Sequence, residues 1–110
     1  MKVSIITASY NSFDVIGECI HSVLDQTYPE IEHIFVDANS TDGTLDIINS
    51  LVPGANLLAE PDFGIYDAFN KGLRRATGDI VFFLNSDDRL MRPDVVSSAA
   101  KVEKTDCSKL

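Results

Sequence analysis

Short runs of apolar residues alternate along the chain with longer segments in which apolar residues recur every three or four positions. The runs have the length of buried strands, and the spaced segments are typical of amphipathic helices. Predicted strands cover residues 3–7, 32–36, 56–59 and 80–84. Predicted helices follow them, near residues 12–26, 45–51, 65–76 and 94–102. The order βαβαβαβα predicts a three-layer α/β fold, with a parallel sheet between helices.

The densest apolar run is IVFFL at positions 80–84, which predicts a strand buried on both faces, as parallel strands usually are. Asn85, Ser86, Asp87 and Asp88 follow it directly. Ligands of open α/β sheets bind at the carboxyl ends of the strands, so this position favours a binding site. Two adjacent carboxylates repel each other unless a cation or a hydrogen-bond donor lies between them. An acidic loop without a ligand is the alternative interpretation.

Local signals indicate where the helices begin and end. Asn11 or Ser12 is expected to cap the first helix, and Gly78 is expected to end the third. Pro93 suits the first turn of the last helix. We expect residues 1–103 to form one domain and the polar residues 104–110 to fray.

The composition is that of an ordinary globular chain, since 45% of the 110 residues are hydrophobic and 24% are charged. The formal net charge of −8 argues against nucleic acid and anionic membranes as partners, because both require a positively charged surface. No apolar stretch approaches the roughly 20 residues of a membrane-spanning helix. Cys19 and Cys107 show neither disulfide nor zinc spacing. We therefore expect a cytoplasmic protein without a transmembrane segment.

The segment after the first strand excludes several nucleotide-binding classes. It contains neither the G-x-G-x-x-G of dinucleotide folds nor the G-x-x-x-x-G-K-[ST] of a P-loop, and the first glycine is Gly17, within a predicted helix. A phosphoacceptor receiver domain would have its acidic pair at this point, where the chain has Thr7, Ala8 and Ser9.

Five polar motifs occur in order at the ends of the predicted elements. They are TASYN at 7–11, VDANSTDGT at 36–44, EPDFGIYDAFNKG at 60–72, ATGD at 76–79 and LNSDD at 84–88. Together they closely resemble the donor-binding half of family 2 glycosyltransferases, inverting enzymes of the GT-A fold. The resemblance spans roughly residues 3–94. It implies the strand order 3-2-1-4, and the 60–72 motif is similar to that of bacterial enzymes that build surface polysaccharide from nucleotide sugars.

The resemblance also implies roles for the residues after the first two strands. Thr7, Ser9 and Tyr10 would hold the nucleotide base and ribose, with Tyr10 flanking the base. Asp37 would accept the imide hydrogen of uracil. The chain departs from the family at Ala38, where a second carboxylate is common, so the uracil contact differs from the usual form.

Further roles are implied near the third and fourth strands. Asp67, Asn70 and Lys71 would reach the sugar or the diphosphate, and a solvated surface lysine is the alternative interpretation of Lys71. Asp88 would bind a divalent cation, Mg²⁺ or Mn²⁺. Asp87 would bind the same ion or accept a hydrogen bond from the ribose. Such hard ions prefer carboxylate and phosphate oxygens.

An inverting transfer needs a general base for the acceptor hydroxyl. In the family this base comes from the second half of the domain, so no catalytic residue is assigned here and we expect no transfer by the chain alone. Two functions stay open: a glycosyltransferase represented by its donor half, with a UDP-sugar as donor, and a non-catalytic nucleotide or nucleotide-sugar module. We also expect a homodimer or a higher assembly through strand 80–84 or the last helix, because an uncovered apolar edge strand pairs readily.

Overall fold

A computed structural model describes residues 1–98 as a four-stranded parallel sheet with helices on both faces. The strands are β1 (Val3–Ser9), β2 (Ile31–Asp37), β3 (Asn56–Ala59) and β4 (Ile80–Phe83). The helices are α1 (Ile16–Leu24), α2 (Thr44–Leu51) and α3 (Ile65–Arg75). The strand order is β3-β2-β1-β4, which confirms both the predicted fold class and the predicted order.

The central strand β1 is buried along its whole length, and its side chains alternate between the two helical layers. Val3 and Ile5 pack against Cys19 and Val23 of α1. Ile6 and Ala8 point to the opposite face, where α3 covers them. The core therefore covers both faces of β1, and a third cluster of buried residues joins β2 to α1 and α2: Ile16, Ile20, Phe35 and Ile48.

Two of the expected helix boundaries are wrong, and in each case a tertiary contact explains the difference. No side chain caps α1: the hydroxyl of Ser12 bonds to that of Ser86 at 2.8 Å, and Asn11 adopts a left-handed backbone with a φ of 46°. Helix α3 ends at Arg75, so Gly78 does not terminate it. Gly78 instead lies against Ser4, where a Cβ atom would come within 2.6 Å of the hydroxyl oxygen.

The run of apolar residues predicted that strand β4 is buried on both faces, and this prediction is wrong. The strand pairs with β1 alone among the strands of residues 1–98, so it forms one edge of the sheet. Phe83 is 50% exposed, and its ring contacts that of Phe69 at a centroid distance of 4.6 Å. The edge position predicted from the strand order is confirmed, and assembly through it stays a prediction.

The last predicted helix lies only partly within the described residues. A helical turn begins at Val95 and continues to Ser98. The rest of the predicted 94–102 helix, the polar 104–110 segment and Cys107 lie outside the described residues. Among residues 1–98, no helix has the length and apolar character needed to cross a membrane.

Helix α3 packs closely against β1 at Gly72. A Cβ atom at this position would lie 2.3 Å from Cγ2 of Ile6, a fully buried branched side chain. We expect Gly72→Ala to lower the free energy of unfolding by about 1–3 kcal/mol, because an overpacked core must shift to admit the methyl group. Gly17→Ala is the control, since no atom lies within 4 Å of its Cβ position and alanine favours a helix by about 1 kcal/mol. Urea unfolding of both variants tests this, and equal stability changes would contradict it.

Candidate functional site

A cleft of about 620 Å³ opens at the carboxyl edge of the sheet. Its walls come from the end of β1, from the segments that follow the four strands, including Val15 directly before α1, and from the first turn of α3. The lining residues are Ala8, Ser9, Tyr10, Asn11, Ser12, Val15, Ala38, Pro61, Asp62, Gly64, Ile65, Ala68, Asn85, Ser86 and Asp87. Its volume lies in the range of small-molecule sites, about 300–1,000 Å³.

Three of the residues predicted for the site, Ser9, Tyr10 and Asp87, line this cleft. Tyr10 is 61% exposed, so much of its side chain is accessible from the cleft or from solvent. Asp88, the next residue, is exposed and is not among the residues that line the cleft. The cleft thus brings together residues that are 77 positions apart in the chain, from Tyr10 to Asp87.

Asp37 does not line the cleft, because its carboxylate is fully buried and already hydrogen-bonded. The hydroxyl of Ser9 donates to Oδ1 at 2.6 Å, the hydroxyl of Ser40 donates to the same oxygen at 2.6 Å, and the amide of Ser40 donates to Oδ2 at 2.7 Å. Asp37 therefore joins the carboxyl ends of β1 and β2 and fixes the turn that follows β2.

The structure does not bring the Thr7 side chain to the cleft. Thr7 is fully buried, and its hydroxyl shares a 2.7 Å hydrogen bond with Nε2 of His33. Burial lowers the pKa of His33 to about 3, so the imidazole is neutral at neutral pH. The nucleotide contact of Thr7 stays a prediction, and in this structure the side chain lies within the sheet, turned towards β2 and α1.

Asp67 and Lys71 meet one turn apart on α3, beside the cleft and outside its lining. The Lys71 ammonium lies 3.1 Å from carboxylates of both Asp67 and Glu60, and it donates to the Pro61 carbonyl at 2.8 Å. The amide of Phe63 and then Lys71 lower the pKa of Asp67. Desolvation opposes the charge on Lys71, but its hydrogen bonds to Glu60 and Asp67 prevail and raise the pKa. These ionised groups hold the 60–64 segment, which lines the cleft, onto α3.

Asn70 is exposed on α3, outside the lining of the cleft. Several residues that line the cleft have no role in the sequence analysis, among them Asp62, Asn85 and Ser86. The signal for these was present, since each lies within one of the five motifs and follows the end of a strand. Asp62 is half-buried, and its carboxylate accepts a hydrogen bond of 3.1 Å from the amide of Gly64.

The chemistry of Asp87 and Asp88 fits a hard divalent cation. Both are exposed, and neither forms an ion pair within residues 1–98. The same residues contain no group of three or more His, Cys, Asp or Glu side chains placed to hold a metal. Magnesium-like ions are commonly bound by one or two carboxylates, with substrate phosphates and water completing the shell. The pair thus suits an ion that arrives with a phosphate ligand.

The comparisons with known proteins agree with this geometry. Residues 4–108 match the family described as Glycosyl transferase family 2. The chain belongs to this family. Curated proteins similar to it include TuaG of Bacillus subtilis, a putative teichuronic acid biosynthesis glycosyltransferase. TuaG is 46% identical over 91 residues, which cover 79% of this chain and 36% of TuaG.

Solved structures place the chain among GT-A glycosyltransferases. TarS of S. aureus in complex with UDP-GlcNAc superimposes with a TM-score of 0.85 at 32% identity, over 96% of this chain and 32% of that one. A mannosyltransferase of Pyrobaculum calidifontis in complex with GDP-Man and Mn²⁺ has a TM-score of 0.86 at 30% identity, over 93% and 32%. The chain spans 36–40% of the length of the curated relatives that it matches.

The buried carboxylate of Asp37 generates a prediction for stability. Asp37→Asn replaces one acceptor oxygen by an amide that donates, so either Ser9 or Ser40 loses its partner in a buried setting. We expect the free energy of unfolding to fall by about 1–3 kcal/mol. Asp14→Asn, at an exposed turn position, is the matched control and should change stability by less than about 0.5 kcal/mol. Urea titration measures both, and an unaffected Asp37→Asn would refute the structural role.

Proposed function

We propose that this family 2 glycosyltransferase chain, over residues 1–103, forms the nucleotide-sugar site of an enzyme that transfers sugar in bacterial surface polysaccharide synthesis. The cleft supports the proposal most directly, because Tyr10, Ser9 and Asp87 line one opening of nucleotide size. The similarity to TuaG, a putative teichuronic acid biosynthesis glycosyltransferase, supports the surface-polysaccharide context. We place the protein in the cytoplasm, where nucleotide sugars are made available to such enzymes.

A UDP-sugar is the proposed donor, supported by the UDP-GlcNAc complex of TarS. Tyr10 flanks the base, and Ser9, the last residue of β1, lines the cleft beside it. Asp37 acts through Ser9 and Ser40, since its own oxygens are occupied. Asp67 and Lys71 act mainly by holding the 60–64 wall, and Asn70 lies on the exposed side of α3. Ala38 provides a small neutral side chain where the family commonly has a carboxylate.

The charge of the cleft supports a divalent cation as part of this function. Its described lining includes Asp62 and Asp87 and no lysine, arginine or histidine. A diphosphate would meet repulsion there unless a metal ion supplied positive charge. We propose that Asp88 and Asp87 hold Mg²⁺ or Mn²⁺, which would neutralise charge on the departing nucleoside diphosphate. The general base for the acceptor is proposed to lie outside this chain, so the chain alone should bind donor without transferring sugar.

The metal proposal predicts that UDP binds tightly only with a divalent cation. Calorimetry should give a dissociation constant for UDP that is about tenfold or more lower in Mn²⁺ than in EDTA. This is the scale of the affinity change when a metal site loses a supporting contact. Asp88→Asn should remove this difference. Asp46→Asn, which removes an exposed carboxylate on α2, is the control and should retain it. Equal wild-type affinity in EDTA and Mn²⁺ would contradict the metal assignment.

The exposed edge of β4 predicts self-association, since an apolar edge without charge or proline is a template for strand pairing. We propose a homodimer or a higher assembly through this edge or the neighbouring last helix. Light scattering at micromolar concentration should show an assembly that Phe83→Lys disrupts. Phe13→Lys is the control, because Phe13 is 51% exposed, close to the 50% of Phe83, and lies on another surface. A wild-type monomer throughout that range would refute the assembly.

A further inference from the structure

The two aspartates proposed to bind the cation are held between two anchored points of the backbone. On the N-terminal side, the amide of Ser86 donates to the Ala8 carbonyl at 3.2 Å, and the hydroxyls of Ser86 and Ser12 lie 2.8 Å apart. On the C-terminal side, the amide of Leu90 donates to the hydroxyl of Ser22 at 3.0 Å. Only residues 87–89 lie between these points, and all three are exposed.

Close to this anchor, the amide of Thr27 donates to the Pro93 carbonyl at 2.8 Å. The side chain of Gln26, just beyond the end of α1, adds three hydrogen bonds. Its Nε2 group donates to the Arg92 carbonyl at 2.7 Å and to the Ser22 carbonyl at 3.1 Å, while its Oε1 atom accepts from the amide of Val96 at 2.9 Å. A primary amide supplies two donors and one acceptor in a single side chain. Gln26 therefore joins α1 to the backbone at both 92 and 96.

Apolar packing fixes this junction only in part. Leu90 and Val96 pack onto the core beside Cys19 and Val23. Between α1 and residues 89–93, however, lies a crevice of about 270 Å³, which Gln26 borders. Hydrogen bonds thus carry much of the connection between α1 and the segment that follows the two aspartates.

We propose that Gln26, assisted by Ser22, is a positioning residue that fixes the Asp87–Asp88 pair for cation and diphosphate binding. The inference rests on the proposed metal-dependent function of that pair. Gln26 touches neither aspartate and acts by holding the backbone at Arg92 and Val96, directly after the Leu90 anchor. Loss of its two donors loosens the segment that follows Leu90, so the two carboxylates sample more arrangements and a bound cation must order them at an entropic cost.

The test uses Gln26→Glu, which keeps the size of the side chain and removes both donors. Asn49→Asp is the matched control, because it makes the same amide-to-carboxylate change at an exposed position of α2. Hydrogen exchange without ligand should be about fivefold faster at the amides of Asp88 and Leu90 in Gln26→Glu, and unchanged in Asn49→Asp, given the usual worth of one or two hydrogen bonds. Exchange at the centre of β1 should stay slow in both, which shows that the fold is intact.

Calorimetry then separates positioning from general stability. In Gln26→Glu the gain in UDP affinity that Mn²⁺ provides should fall about fivefold, while the affinity in EDTA stays at the wild-type value. If Mn²⁺ raises the UDP affinity of Gln26→Glu as much as it raises that of Asn49→Asp, the inference about Gln26 is overturned and the proposed metal site is retained. If Mn²⁺ gives the wild type no gain, the proposed function fails, and exchange at Asp88 alone decides whether Gln26 orders the pair. If Gln26→Glu does not fold, Ser22→Ala, which removes the acceptor of the Leu90 amide, replaces it with the same expected direction.

Discussion

The burial of β1 is the constraint on which the rest of the structure depends. This strand pairs on one side with β2 and on the other with β4, and all seven of its residues are buried. Because the pairing is parallel, the carboxyl ends of the three strands lie on one edge, with Ser9 directly opposite Asp37 and Ile6 opposite Phe83. The cleft lies where the strands end and their connecting segments begin. Its location therefore follows from the sheet, and its chemistry follows from the residues after each strand.

Burying β1 also requires partners for its hydroxyl groups, because an unpaired buried polar group costs about 1–3 kcal/mol. Each of the three hydroxyl side chains pairs with an ionisable residue of β2. The pairs are Ser4 with Glu32 at 2.6 Å, Thr7 with His33 at 2.7 Å and Ser9 with Asp37 at 2.6 Å. Within residues 1–98, no buried side-chain nitrogen or oxygen lacks a partner. Residues that resemble a ligand-binding motif therefore also hold the sheet together.

The fold could be predicted from the sequence because strands and helices alternate with clear periods, whereas the details that failed depend on contacts distant in sequence. Ser12 resembles a helix cap, but Ser86 competes for its hydroxyl, 74 residues away. The apolar run at β4 indicates a strand without indicating its place at the edge. The motifs identified the segments around the cleft, but the place of each side chain depends on where the strand ends and on pairing with β2. Tyr10 lies just beyond the end of β1 and lines the cleft, whereas Thr7 lies within the strand and bonds to His33.

The positions of the positively charged side chains bear on how a chain of net charge −8 would accommodate the diphosphate of the proposed donor. The positive group nearest to this role by sequence, Lys71, has a side chain that is only 12% exposed, and Glu60 and Asp67 already compensate its charge. Withdrawing Lys71 towards a phosphate would leave two carboxylates unpaired and would release the Pro61 carbonyl, so part of the gain would be lost in the 60–64 wall. Asp87 and Asp88 have no such protein partner among the described residues, and positive charge brought to them by a metal ion disrupts nothing that holds the cleft. In the proposed function the two kinds of group therefore have different electrostatic roles: Lys71 stabilises the wall, and the exposed Asp87 and Asp88 would receive the ion.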